Sequence, residues 1–211
     1  MSESYLNVQA VARNTESAAA DGDCCVEYHP LIPFLPENAK VLFLGSFPPQ
    51  RKKWCCDFYY PNFINDHWRI EGQVFYGDKE YFVEKDRRCF RLDAIIEHCK
   101  GRGIAFYDTA TVVRRLKGNA SDKFLEVVEA TDIRNLIKPL EGLRAVITTG
   151  EKATETICGY YGIDAIPKVN GACMLDGNVE LYRLPSSSRA YPLAFEKKVD
   201  AYRAMFDKYG V

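Results

Sequence analysis

The segment Phe58-Tyr59-Tyr60-Pro61-Asn62-Phe63-Ile64-Asn65-Asp66-His67-Trp68 carries the most chemical scope in the chain. Four phenyl or phenol rings, a tryptophan and two asparagines fall within eleven residues. Such a strip can wall a slot for a planar polar ligand, with amide side chains to orient it. A nucleobase is a ligand of that kind, having a π-face and hydrogen-bonding edges. The same composition also suits a packing strip whose asparagines cap a helix beginning near Asn65. Both readings stand on the residues alone.

Other reactive residues point less sharply. Ser46 and Ser186 to Ser188 are hydroxyl nucleophiles in principle, but no G-x-S-x-G elbow surrounds them. The histidines are His29, His67 and His98; His29 falls in an N-terminal arm and His98 near a helix end, so neither is expected to act as a base. Gly45-Ser46-Phe47-Pro48-Pro49 has one glycine and no lysine at Walker spacing, and its two prolines remove amide donors a phosphate cradle needs. Serine hydrolysis and nucleotide hydrolysis are therefore disfavoured.

Eight cysteines occur, at positions 24, 25, 55, 56, 89, 99, 158 and 173, with two adjacent pairs and no C-x-x-C. Adjacent cysteines chelate poorly and form strained disulfides. Reduced, structural thiols are expected, with no zinc ribbon and no iron–sulfur cluster. Cys55-Cys56, beside the aromatic strip, leaves a thiol-dependent role open.

The 211 residues suffice for one domain, or one domain with an arm. Hydrophobic residues make up 47% and charged residues 27%, a globular balance that excludes general disorder. No apolar run approaches the ~20 residues of a membrane span. No basic start with an apolar stretch opens the chain, so an intracellular protein is expected. Net charge is −1, with 28 basic and 29 acidic residues, but its distribution is uneven. Residues 1–36 hold one basic and five acidic residues, leaving 37–211 with 27 basic and 24 acidic. Clusters at Arg51-Lys52-Lys53, at Arg87-Arg88 with Arg91, and at Arg114-Arg115 with Lys117 are compatible with nucleic acid, although solvated faces explain them as well.

The elements that would position these residues can be read from periodicity. Residues 1–36 form an acidic arm in which Pro30, Pro33 and Pro36 punctuate an extended segment lying on the core. Val41 to Leu44, Ile104 to Tyr107 and Ala145 to Thr149 read as buried strands, each followed by a loop. Val179 to Leu184 alternates in polarity and is expected at a sheet edge. Helices are expected over 78–100 with Gly101 as the stop, from Ser121 to Ala130, from Thr131 or Asp132 to Pro139, over 151–161, and over 192–209. Apolar strands separated by helices imply an α/β fold, a three-layer α/β/α sandwich around a short, mostly parallel sheet of about four strands. Ligands in such sheets sit at the carboxyl ends of the strands. Those ends are Gly45 to Pro49, Asp108 to Ala110, Gly150 to Lys152 and Pro185 to Ser188.

The order Leu44-Gly45-Ser46-Phe47-Pro48, then Phe58-Tyr59-Tyr60 with Asn65 and Trp68, then Leu184-Pro185-Ser186-Ser187-Ser188, resembles the uracil-DNA glycosylase superfamily. Within it, the hypoxanthine-DNA (deoxyinosine) glycosylase branch is most similar. The likeness spans residues 38–208 and leaves the arm outside, so 37–211 is expected as the glycosylase-like domain. In the uracil-removing enzymes the first loop reads Gly-x-Asp-Pro, or Gly-x-Asn-Pro in mismatch-type relatives, and its third residue orients the attacking water. Phe47 stands there and cannot do so. The hypoxanthine branch carries its asparagine in an Asn-x-x-Trp sequence, which Asn65 and Trp68 match. The resemblance thus implies Asn65 as the water-positioning residue, with Asn62 in reserve. Leu184-Pro185-Ser186 matches the Leu-Pro-Ser form of the third motif, while Arg189 and Tyr191 depart from its usual Pro-Ala-Asn ending.

What the resemblance implies is a monofunctional DNA glycosylase that everts a deaminated base and hydrolyses its N-glycosidic bond, leaving an abasic site. Hypoxanthine is the favoured base and uracil the runner-up. Gly45, Ser46, Phe47, Tyr59, Tyr60, Asn62 and Asp108 would line the base pocket, Asp108 being equally suited to cap a helix. Pro185, Ser186, Ser187, Ser188, Arg189 and Tyr191 would form the loop pressed into the minor groove, with Arg189 supplying charge and Tyr191 a wedge. No cofactor or metal is expected, no lysine sits in a lyase motif, and the partner is DNA carrying a deaminated base; the oligomeric state is not legible in the sequence, a monomer being favoured. The alternative is a catalytically weak nucleic-acid or nucleotide-binding module, favoured if Asn65 is buried and caps its own helix.

Overall fold

The computed structural model describes residues 26–116 and 125–211. In chain order the elements are β1 (Val26–Tyr28), β2 (Val41–Gly45), α1 (His67–Tyr76), β3 (Val83–Glu84), β4 (Cys89–Phe90), α2 (Leu92–Arg102), β5 (Ile104–Asp108), β6 (Ala110–Arg115) and β7 (Leu125–Ala130). There follow α3 (Ile133–Ile137), β8 (Ala145–Thr148), α4 (Glu151–Tyr161), β9 (Ala172–Asp176), β10 (Val179–Arg183) and α5 (Phe195–Tyr209). The fold is mixed α/β.

The central sheet has five strands in the order β5-β2-β8-β10-β9. β5, β2, β8 and β10 run parallel, and β9 pairs antiparallel to β10. The first three parallel strands are buried almost throughout, which is why they read as continuous apolar runs. Phe43 on β2 meets Phe106 on β5, His67 on α1, and Tyr202 and Phe206 on α5, so α1 and α5 cover that face. A second, antiparallel sheet orders β1-β6-β7.

Five local expectations are corrected. β10 is interior, not an edge; its polar Glu180 is satisfied by Lys208 and Tyr209, each 2.6 Å away, so alternation there reports partners on α5 rather than solvent. Residues 78–91 are not helical. Val83 pairs with Phe90 and Glu84 with Cys89 across a hairpin, and helix α2 starts only at Leu92. Its stop is Gly103 rather than Gly101, because the chain there turns left-handed (φ 73°) against the Asn38 carbonyl, where a Cβ would collide. The stretch ending at Ala130 is strand β7, since its pairing with β6 overrides a weak local helical preference; Ser121 lies outside the described residues. Finally, α5 starts at Phe195, so Pro192 belongs to the loop before it.

The described part of the arm, from residue 26, is bound to the domain. β1 pairs with β6, and Phe34 bridges Phe106 on the outer strand of the central sheet. Tyr59 donates its hydroxyl to the Ile32 carbonyl at 2.7 Å. The six described cysteines are all free thiols. No helix among the described residues is long and apolar enough to cross a membrane.

Candidate active site

Parallel strands end together, so the loops after β2, β5, β8 and β10 converge on one side of the sheet. Gly45 and Asp108 are register partners at the ends of β2 and β5. The close approach requires glycine: a Cβ on Gly45 would collide with Asp108 Oδ1. Asp108 Oδ2 lies 2.8 Å from His29 Nε2, while His29 Nδ1 lies 2.7 Å from the Leu31 carbonyl. Burial pushes the Asp108 carboxyl above the usual range, and the His29 ring and the Gly45 backbone N–H work against that rise. Asp108 is therefore held on both sides instead of capping a helix. His29, expected to be remote, packs its ring against Phe47 (5.3 Å) and Tyr107 (4.7 Å). Sequence reasoning missed it because a contact across 79 residues leaves no local signal.

Phe47 is buried with Ala110, Val113 and Leu125 beneath His29, and the Arg115 guanidinium sits 5.8 Å from its ring. Arg115 reaches the Pro48 carbonyl and Glu27, each at 2.7 Å, so the di-proline loop is braced from β6. Ser46 is nearly as buried as Phe47.

The aromatic strip divides into two parts. Phe58, Tyr59 and Trp68 belong to the core, with Trp68 Nε1 donating to the Tyr59 carbonyl. Tyr60 is only half-buried and sits at φ 49°, a left-handed conformation costly for a tyrosine. Its ring lies flat on His67 at 3.7 Å, and its hydroxyl is 3.1 Å from Thr149 at the end of β8. The strain is thus held at the strand ends by a ring stack and a hydroxyl contact.

Residues 62–65 form a tight turn. Asn65 N–H donates to the Asn62 carbonyl at 2.8 Å, and Asn62 Oδ1 accepts from Ile64 N–H at 3.1 Å. Arg69 Nη1 donates to the Phe63 carbonyl at 2.8 Å and fixes the turn to helix α1. Asn65 is half-buried, and its Oδ1 accepts from His67 N–H at 2.9 Å, which caps the helix start. Its backbone forms an antiparallel bridge with Ser188, and Asp66 N–H donates to the Ser187 carbonyl at 3.1 Å.

The loop after β10 is thereby joined to α1. Arg189 Nε donates to Asp66 Oδ1 at 2.7 Å. Lys198 Nζ, almost wholly buried on α5, donates to the Ser188 carbonyl at 2.7 Å; burial pushes its ammonium below the usual range. Ser186 and Ser188 hydroxyls accept from the backbone N–H two residues on, a local turn rather than a helix N-terminus. Pro185 and Ser187 are buried, Arg189 is exposed, and Tyr191 is half-buried near the Lys198 ammonium. The structure therefore joins Asn65 with Ser187, Ser188 and Arg189, and Gly45 with Asp108. Tyr59 lies in the core.

Behind the strip is a polar cluster with no sequence signature. Glu71, fully buried, accepts from His98 Nε2 at 2.9 Å, and His98 Nδ1 meets the Tyr76 hydroxyl at 3.0 Å. His67 Nε2 is also 2.9 Å from Glu71 but off the line of a hydrogen bond. Burial pushes Glu71 up, and the two imidazoles more than reverse this, lowering it to about 2. His67 is lowered by burial despite Glu71. Among the described residues, no three or more His, Cys, Asp or Glu side chains gather as a metal site.

No family model matches the sequence, and no curated protein does. Solved structures do match, in eighteen chains. One is the solution NMR structure of a "putative Uracil DNA glycosylase from Methanosarcina acetivorans". It covers 89% of this chain and 100% of its own, with a TM-score of 0.60 and 23% sequence identity. The two proteins share a fold.

Proposed function

We propose that this chain is a monofunctional DNA glycosylase that removes a deaminated base, hypoxanthine in preference to uracil, and leaves an abasic site. The observation that carries the reading is the bridge between Asn65 and Ser188, which joins the Asn-x-x-Trp helix start to the Leu-Pro-Ser loop at the strand ends. A fold shared with the Methanosarcina protein supports it. Residues 37–211 are the catalytic unit in this reading, built as a three-layer sandwich, and acting as a monomer without metal or cofactor.

Cleavage of an N-glycosidic bond builds positive charge on the sugar and negative charge on the departing base. Water oxygen bonds to the anomeric carbon, the carbon–nitrogen bond breaks, and its electron pair leaves with the base. The water's proton passes to solvent or to the base. Such a reaction is accelerated by placing a water and by fixed dipoles, with no covalent intermediate. Asn65 Oδ1 holds the helix start with one lone pair, and a carbonyl oxygen retains a second for the water. Tyr60, Asn62 and Ser46 would line the base slot, with Gly45 and Asp108 as its floor. Phe47 and Tyr59 back it from beneath. Pro185, Ser186, Ser187 and Ser188 would carry the DNA backbone beside Arg189 and Tyr191.

One observation favours a second reading, a binding module of the same fold: Asn65 Oδ1 already caps its own helix. The test is alkaline strand cleavage of labelled duplexes bearing inosine, uracil, xanthine or mispaired thymine, with Asn65→Ala alongside. Inosine cleavage lost in the variant supports the first reading. Salt-sensitive binding without cleavage of any lesion supports the second.

A further inference from the structure

An everted base leaves a gap, and proteins that unstack DNA commonly fill it with an exposed apolar side chain on a rigid support. Tyr191 fits this role by residue type, but its ring is half-buried, 6.0 Å from the Lys198 ammonium. Ile64 differs. It is 56% exposed. It is the third residue of the 62–65 turn, directly before Asn65.

The support beneath Ile64 is stiff. Asn62 Oδ1 holds the Ile64 N–H, and Arg69 donates to the carbonyls of Phe63 (2.8 Å) and Asn65 (3.4 Å). The Phe63 ring packs on Phe90 and lies under the guanidinium groups of Arg69 (4.6 Å) and Arg88 (5.9 Å). Arg88 and its neighbour Arg87 are exposed on the β3–β4 turn. An apolar tip thus projects from a fixed turn, with the exposed Arg88 guanidinium near it, while Arg69 is engaged by the turn and Arg87 pairs with Glu84 at 3.6 Å. Among the described residues, Ile64 is not one of those buried in or packed against the apolar clusters.

We propose that Ile64, rather than Tyr191, enters the base stack when the target nucleotide is everted. The inference rests on the glycosylase or DNA-binding reading of the site and adds the residue that opens the duplex. The test uses the full chain and duplexes carrying inosine next to 2-aminopurine, whose fluorescence rises on unstacking. Wild type should raise that fluorescence; Ile64→Ala should not, and Ile64→Leu should restore it. Because unstacking costs a few kcal/mol, the ratio of duplex to single-strand cleavage should fall on the order of tenfold in Ile64→Ala. A thermal midpoint equal to wild type would exclude misfolding.

Unstacking lost in Tyr191→Ala but kept in Ile64→Ala would overturn the proposal. So would equal losses of cleavage on single-strand and duplex substrates, which assign Ile64 to chemistry or folding. If wild type cleaves no lesion, the glycosylase reading fails while the fluorescence still decides: a rise lost in Ile64→Ala supports the wedge, and no rise in wild type rejects it.

Discussion

Asn65 and Ser188 face each other across a single antiparallel bridge, the only backbone pairing that either makes outside its own loop among the described residues. Two short motifs far apart in the chain are thereby locked in register. The bridge sets where the Asn65 amide sits relative to the loop that would carry a phosphate. For Asn65→Ala, base removal should fall by at least two orders of magnitude, roughly the share a positioned water supplies, while duplex binding is kept. Loss of the cap should cost about 1 kcal/mol, so thermal unfolding must accompany the assay. Full cleavage by the variant would refute the role.

Arg189 is neutralised locally by Asp66 at 2.7 Å. Arg189→Ala should weaken duplex binding more than it slows the chemical step. Each phosphate contact adds about one unit to the slope of log K against log salt. The slope should therefore shrink by about one in Arg189→Ala and stay or steepen in Asp66→Asn, where the guanidinium is freed. A salt titration by fluorescence anisotropy reads both, and identical slopes would remove Arg189 from the interface.

Asp108 ties Gly45 to His29 and so fastens the arm to the ends of β2 and β5. Asp108→Ala leaves the His29 ring without its hydrogen-bond partner in a buried setting, a loss of about 1–3 kcal/mol. Gly45→Ala should also destabilise, because the new methyl displaces the Asp108 carboxylate. Urea unfolding midpoints measure the two. A near-wild-type midpoint for Asp108→Ala would show that the arm is held by its other contacts, through β1, Glu27, Ile32 and Phe34.

Acid should unfold the protein through the cluster behind Tyr60. Glu71 is held at about 2 against an ordinary 4.5, so its contribution is complete above 4.5 and is lost as pH falls towards 2. His67 is lowered from 6.5; the unfolded chain takes up its proton first, so stability also falls as pH drops below 6.5. Asp108, raised by burial, acts with the opposite sign above its ordinary 3.8. Comparing wild type with Glu71→Gln isolates the Glu71 part. The thermal midpoint of wild type should drop more steeply below pH 4.5 than that of the variant. Parallel curves would contradict the assignment.

Much of the central sheet was legible because burial on both faces of a parallel strand demands an uninterrupted apolar run. Val41 to Leu44, Ile104 to Tyr107 and Ala145 to Thr148 satisfy that demand in the sequence itself. Helix α4 was equally plain, starting at the end of β8 and stopping at left-handed Gly162. The hairpin at Val83 to Phe90 and strand β7 were not. Their few apolar residues fit a helical period as well as a strand period, and only cross-strand partners break the tie.

The candidate site divides along the same line. Residue types and motif order along the chain determined the loops at the strand ends and the candidacy of Asn65, Gly45 and Ser186 to Ser188. Tertiary structure alone decided that Asn65 meets Ser188, that His29 reaches Asp108 across 79 residues, and that Glu71 sits between two imidazoles. Periodicity records which face of an element avoids water. It holds no record of which distant polar group satisfies another, because that pairing is fixed by the packing of whole elements and the cost of leaving a buried charge alone.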